Sequence, residues 1–95
     1  MGYLANVYQA LGQISKAIEC YERSLIIRKE VGDRRGEAID LNNLGHLHKE
    51  QSNNSQARQY LEQALEIFQE IQSPHADTSR HLLAELEKIE NAQSC

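Results

Sequence analysis

With 95 residues, 40% of them hydrophobic and 25% charged, the chain can bury one small core and is neither disordered nor fibrous. A net charge of -4 leaves no basic field to neutralise nucleic-acid phosphates, and no apolar run approaches the roughly 20 residues that cross a bilayer, so nucleic acid and membrane are excluded as expected partners. The N-terminus has neither the basic region nor the apolar stretch of a signal peptide, and Cys20 and Cys95 are too few and too distant for a disulfide framework or zinc site; free thiols and a cytoplasmic location are expected.

In chain order the apolar spacing predicts five helices. The first covers about residues 2–11, with Leu4, Val7, Tyr8 and Leu11 on one face, and stops near Gly12. The second, about 15–31 with Ser15 as N-cap, carries Ile14, Ala17, Ile18, Tyr21 and Leu25, widened by Cys20, Ile27 and Val31. Gly32 suits a left-handed C-cap and Asp33 a new N-terminus. The third helix, about 35–51, has a narrower stripe of Leu41, Leu44, Gly45 and His48, with Leu47 on its flank and Ile39 opposite. Ser55 is the expected N-cap of the fourth, which carries Ala57, Tyr60, Leu61, Ala64, Leu65, Ile67, Phe68 and Ile71. Ser73 and Pro74 read as N-cap and N1 of the last, about 74–91, with Leu82, Leu83, Leu86 and Ile89 inward. Broad-faced second and fourth helices alternating with narrower ones predict stacked antiparallel hairpins, each broad helix held between two neighbours.

Moved 40 residues along itself, the chain superimposes Leu4, Ser15, Ala17, Glu22, Leu25, Ile27 and Glu30 on Leu44, Ser55, Ala57, Glu62, Leu65, Ile67 and Glu70. Chance supplies about two such identities over this overlap. Leu44, Gly45, His48, Ala57, Leu61 and Ala64, and in the first copy Leu4, Ala5, Tyr8, Ala17, Tyr21 and Ser24, stand at the spacings of the tetratricopeptide repeat, which the chain resembles. The 40-residue step and the Gly32 to Ala38 linker look like the long variant of Pins-type polarity adaptors and of bacterial signalling proteins. The resemblance implies an all-α, right-handed α-solenoid of antiparallel hairpins in a single domain: residues 1–34 a partial first repeat, 35–73 a second, 74–92 a capping helix. It departs from the family pattern at His48, where an aromatic is usual, in the first linker, which lacks proline, and in the last helix, where His81, Ala84, Glu85 and Lys88 fall on core positions. A shifted cap is therefore expected there, its polar outside supplied by Glu85, Glu87, Lys88, Glu90, Asn91 and Gln93. The first helix lacks about one turn of the repeat, so a longer array or self-association through Tyr3, Leu4, Val7 and Leu11 is expected.

Turning Leu41, Leu44 and Gly45 inward puts Ile39, Asn42, Asn43, His46 and Lys49 on the opposite face, and Asn6 and Gln9 extend the row onto the first helix. Asparagine is a poor helix former that offers donor and acceptor together, so such a row can pair with the backbone of a bound peptide. By resemblance, this face lines the concave groove. The family's carboxylate clamp would use Asn6 and Asn43, but Gly2, Ser79 and Leu83 stand where it needs lysine or arginine. His46 and His48 point about 200° apart on a helix, which spoils metal chelation, and no nucleophile stands near a base. No metal, cofactor or enzymatic activity is expected. His75 and His81 read as exposed histidines. The expected function is an adaptor or scaffold module holding a peptide or helix of a partner protein in its groove; the alternative is structural, a homo-oligomer or longer superhelix joined through the N-terminal face.

Overall fold

The computed structural model describes residues 8–93. Residues 8–10 are helical, and four helices follow: α1 (Ile14–Val31), α2 (Arg34–Glu50), α3 (Asn54–Glu70) and α4 (Ala76–Gln93). Each packs on its neighbours in sequence, and α2 also touches α4, giving an all-α solenoid. Its extents are 44 × 33 × 18 Å; the short dimension is that of two helix layers of about 10 Å each.

A single backbone device closes the first helix and α1, α2 and α3. Gly12, Gly32, Ser52 and Gln72, 20 residues apart, all adopt positive φ, at 77°, 76°, 63° and 55°. At each, the amide of the left-handed residue bonds back to the carbonyl three positions earlier, and the next amide, from Gln13, Asp33, Asn53 and Ser73, reaches the carbonyl of Tyr8, Arg28, His48 and Phe68. These are Schellman ends, which satisfy the last carbonyls of a helix. The residue after the left-handed one is at once the end of one helix and the cap of the next, its carbonyl accepting from Ala17, Glu37 and Ala57 at the first three.

That sharing corrects two expected caps. Ser15 and Ser55 lie inside the first turns, since α1 and α3 start at Ile14 and Asn54 behind Gln13 and Asn53, neither of which caps through its side chain. Asp33 caps as expected, its carboxylate accepting from the Gly36 amide at 2.9 Å. Ser73 also caps, Oγ accepting from the His75 amide, but Pro74 and His75 form a tighter turn with Ala76 N–H on the Ser73 carbonyl, and α4 proper begins at Ala76.

The core runs from Ala17, Tyr21 and Leu25 of α1 through Ala38, Leu41, Leu44 and Leu47 of α2 to Ala64, Ile67 and Phe68 of α3; a smaller cluster joins Ala57 and Leu61 to Leu86 of α4. Burying each large side chain is worth about 1.5–3 kcal/mol. Gly45 lets α2 approach α3: a Cβ there would sit 2.5 Å from Leu61 Cγ and 3.2 Å from the Ala57 carbonyl oxygen.

Three expectations about faces change. α2, expected to be narrow, is buried on two sides, because Glu37 and Asp40 also go inside. They are tolerated because Arg34 reaches Glu37, while Ser24 and Arg28 partner Asp40, whose carboxyl burial nevertheless pushes to a raised pKa. Ile27 and Val31, expected to widen the buried face of α1, are 45% and 71% exposed, whereas the repeat partner of Ile27, Ile67, is 5% exposed. Ile67 belongs to the core cluster that joins α1, α2 and α3, and Ile27 does not. In α4 the buried positions are Ala76, Ser79 and Leu86 with Leu82 and Leu83 half-buried, so α4 repeats Ala38, Leu41, Leu44, Gly45 and His48 at a step of 38 rather than 40. The shift takes His81, Ala84 and Lys88 out to solvent and leaves Ile89 37% exposed rather than inward.

Candidate functional site between α2 and α4

The face of α2 turned from the core runs beside α4. Ile39 is 37% exposed, and Asn42, Asn43, His46 and Lys49 are half-buried. Two polar bonds join the helices. Asn42 Oδ1 accepts from Ser79 Oγ at 2.8 Å, and Lys49 Nζ donates to Glu85 Oε2 at 3.0 Å. Ser79 is fully buried, so its hydroxyl requires such a partner. Between the Asn42 bond and the α4 start lies an open recess of about 240 Å³, lined by Ile39, Asn42, Asn43, Phe68, His75 and Thr78. Phe68, 2% exposed, belongs to the core, and the His75 ring packs tilted on it at 5.6 Å.

The expected groove residues thus divide. Ile39, Asn42 and Asn43 meet at the recess. His46 lies further along α2 with Nε2 2.9 Å from Glu50 Oε1, and Lys49 is committed to Glu85, with its side chain 17% exposed. Gln9 is half-buried near the end of the first helix, and Asn6 lies outside the described residues. Glu85, expected on the polar outside, is instead a half-buried bridge: the Lys49 ammonium holds its carboxyl below the usual carboxylate range, and His81 Nε2 lies 2.9 Å from its other oxygen.

The sequence reading missed Phe68, His75, Thr78, Ser79 and Glu85 as site residues. The signal that marks Ser79 is a step of 38 in the last helix, which pairs it with Leu41 and so with a buried position. His75 is exposed as expected, yet it packs on Phe68 and forms a wall rather than standing alone. His48, half-buried, stacks on Tyr60 at 5.3 Å with an interplanar angle of 14°, taking the place of an aromatic; burial holds its pKa below 6.5. Cys20 is a free thiol, and Cys95 lies outside the described residues. Among the described residues no three His, Cys, Asp or Glu side chains converge as metal ligands, and no helix is long and apolar enough to cross a membrane. A half-polar recess beside a row of amides is suited to binding.

Comparison with known proteins follows the same lines. The family model of the tetratricopeptide repeat matches residues 1–70. Human SH3 domain and tetratricopeptide repeat-containing protein 2 is 37% identical over 70 residues, 74% of this chain and 5% of that protein. The crystal structure of the apo form of RapI superimposes with a TM-score of 0.87 at 25% identity, over 93% of this chain and 32% of that one. The chain thus spans a small part of the length of both.

Proposed function

Because the chain belongs to the tetratricopeptide repeat family, a family of protein-protein interaction modules, we propose that it holds a peptide or helical segment of a partner protein in the concave surface between α2 and α4, as a non-catalytic adaptor. The observation that carries this reading is the recess, where the exposed side of Ile39 and the half-buried amides of Asn42 and Asn43 flank a cavity floored by Phe68. An apolar anchor there is fixed by shape, and the amides pair with the partner's backbone. Asn42 is already bonded to Ser79, so Asn43 is the freer of the two.

In this reading residues 35–73 form one repeat, residues 1–34 part of another, and 74–92 a cap. The 20-residue rhythm of left-handed residues supports the long variant of the repeat. Leu83 stands where α2 has Gly45, so the close approach a following helix would need is blocked, which supports a cap. Selection of peptides from a random phage library against the protein tests the groove. Enriched peptides should lose most of their binding to Ile39→Asp, a variant that stays folded because Ile39 is exposed; peptides indifferent to Ile39→Asp would put the working surface elsewhere.

Self-association is the second reading, favoured by Leu11, 66% exposed at the end of the first helix; Tyr3, Leu4 and Val7 lie outside the described residues. Light scattering over a wide concentration range separates the two. A dimer dissociated by Leu11→Glu supports assembly, and a monomer throughout removes it.

A further inference from the structure

The recess between α2 and α4 does not end at His75. A second recess of about 240 Å³ adjoins it at that residue, lined by Arg35, Ile71, Ser73, Pro74 and His75. His75 is the shared wall, held by its packing on Phe68. One compartment is therefore apolar and amide-lined, while its neighbour carries a guanidinium, an imidazole and a hydroxyl.

The guanidinium is the informative group. Arg34 and Arg35 are adjacent in the first turn of α2, yet their commitments differ. Arg34 bridges Glu70 of α3 and Glu37 of its own helix. Arg35 makes no hydrogen bond or ion pair with a described residue, and the charge it feels is that of Asp33, which is itself engaged with Arg28 and the Gly36 amide. Asp77, in the first turn of α4, is paired with Arg80. At this end of the groove, a cation is left without an acceptor beside a site that already fits an apolar side chain. Arg35 presents a planar fork of donors suited to a carboxylate, and a neutral or protonated imidazole adds another N–H.

We propose that the groove recognises a peptide bearing a leucine-sized apolar residue two positions from an acidic one, the apolar side chain entering the Ile39/Phe68 recess and the carboxylate pairing with Arg35 and His75. This rests on the groove reading above and adds the partner's chemistry to it. The geometry of an extended peptide agrees: its alternate side chains point to the same side of the backbone, so residues i and i+2 can enter two compartments that share the His75 wall.

The experiment uses a capped peptide of sequence Gly-Ser-Leu-Ser-Asp-Gly and counterparts in which asparagine replaces the aspartate (Leu-Asn) or alanine the leucine (Ala-Asp), titrated into ¹⁵N-labelled protein. The Leu-Asp peptide should shift the amides of Arg35, Ile39, Asn43, His75 and Thr78 and bind about threefold or more tighter than Leu-Asn, the advantage of an exposed ion pair. Arg35→Gln should abolish that preference, while Arg34→Gln, at a neighbouring charge already committed elsewhere, should leave it intact. Equal affinity for Leu-Asp and Leu-Asn, or a preference that survives Arg35→Gln, overturns the acidic specificity; if both peptides still shift Ile39, Asn43 and Thr78, the groove reading stands without it. Failure of all three peptides to shift those amides overturns both.

Discussion

Three residues show how locally the architecture is enforced. Gly45 sits where α2 meets α3, and the missing side chain is the space that Leu61 occupies. Gly45→Ala should therefore cost about 1–3 kcal/mol in urea denaturation despite alanine's better helix propensity, and a neutral or stabilising result would mean the two helices separate easily. Gly36 has a related role, because a Cβ there would lie 2.7 Å from Arg28 Cδ, in the path by which that arginine reaches Asp33 and Asp40. His48 shows what an aromatic position demands. Its ring stacks as an aromatic would, but Nδ1 is buried without a hydrogen-bond partner, and burial lowers its pKa. The native state then binds fewer protons than the unfolded chain once the pH falls below about 6.5, so stability declines from there until the native value is passed. Asp40, raised by burial, acts with the opposite sign, its contribution being lost as pH rises. The His48 contribution is isolated by comparing wild type with His48→Tyr at pH 7.5 and 5: the variant should lose less stability on acidification, and equal losses would show that His48 titrates as it does in the unfolded chain.

At the level of the element, the helices are set more by their ends than by their interiors. All four described ends use the same left-handed residue, but only Gly12 and Gly32 adopt it without steric cost; Ser52 and Gln72 adopt it against the preference of a residue with a Cβ. Ser52→Gly and Gln72→Gly should each stabilise the fold by about 0.5–1 kcal/mol, read as a higher denaturation midpoint at unchanged slope. Asp33 is the one shared residue whose carboxylate caps the following helix, and the Gly36 amide, followed by Arg28, holds its pKa down. Asp33→Ala should lower the urea midpoint at unchanged slope, because the Gly36 amide loses its acceptor. Glycine and aspartate announced the α1–α2 junction in the sequence. Ser52 and Gln72 did not announce theirs, because nothing about serine or glutamine signals a positive φ; the same blindness misplaced a cap onto Ser55, while Ser15 was mistaken for a cap because Gln13 caps α1 without its side chain.

For the whole molecule, the groove depends on how α4 leans against α2, and that seam is polar. The Lys49–Glu85 bridge is partly exposed, and a double-mutant cycle with Lys49→Met and Glu85→Gln should return a small coupling that falls with added salt. A larger, salt-insensitive value would mean that the seam is sealed from water and the groove is rigid. Arg58 and Glu90 join α3 to α4 on the other side, so α4 is held by one ion pair at each flank of its Leu86 contact.

The repeat, the all-α class, the pairing of helices into hairpins and the inward stripe of Leu41, Leu44 and Gly45 were legible in the residues alone. They follow from the period of apolar residues and from small residues at fixed offsets, which are local properties. The burial of Glu37, Asp40 and Ser79, the bonds of Asn42 and Lys49 to α4, and the recess that Phe68, His75 and Thr78 complete with Ile39 and Asn43 arise only when the helices pack. Each of these turns on which helix lies opposite and in what register: a shift of two residues in α4 exchanges His81 for Ser79 at the seam, and no property of either residue alone carries that information.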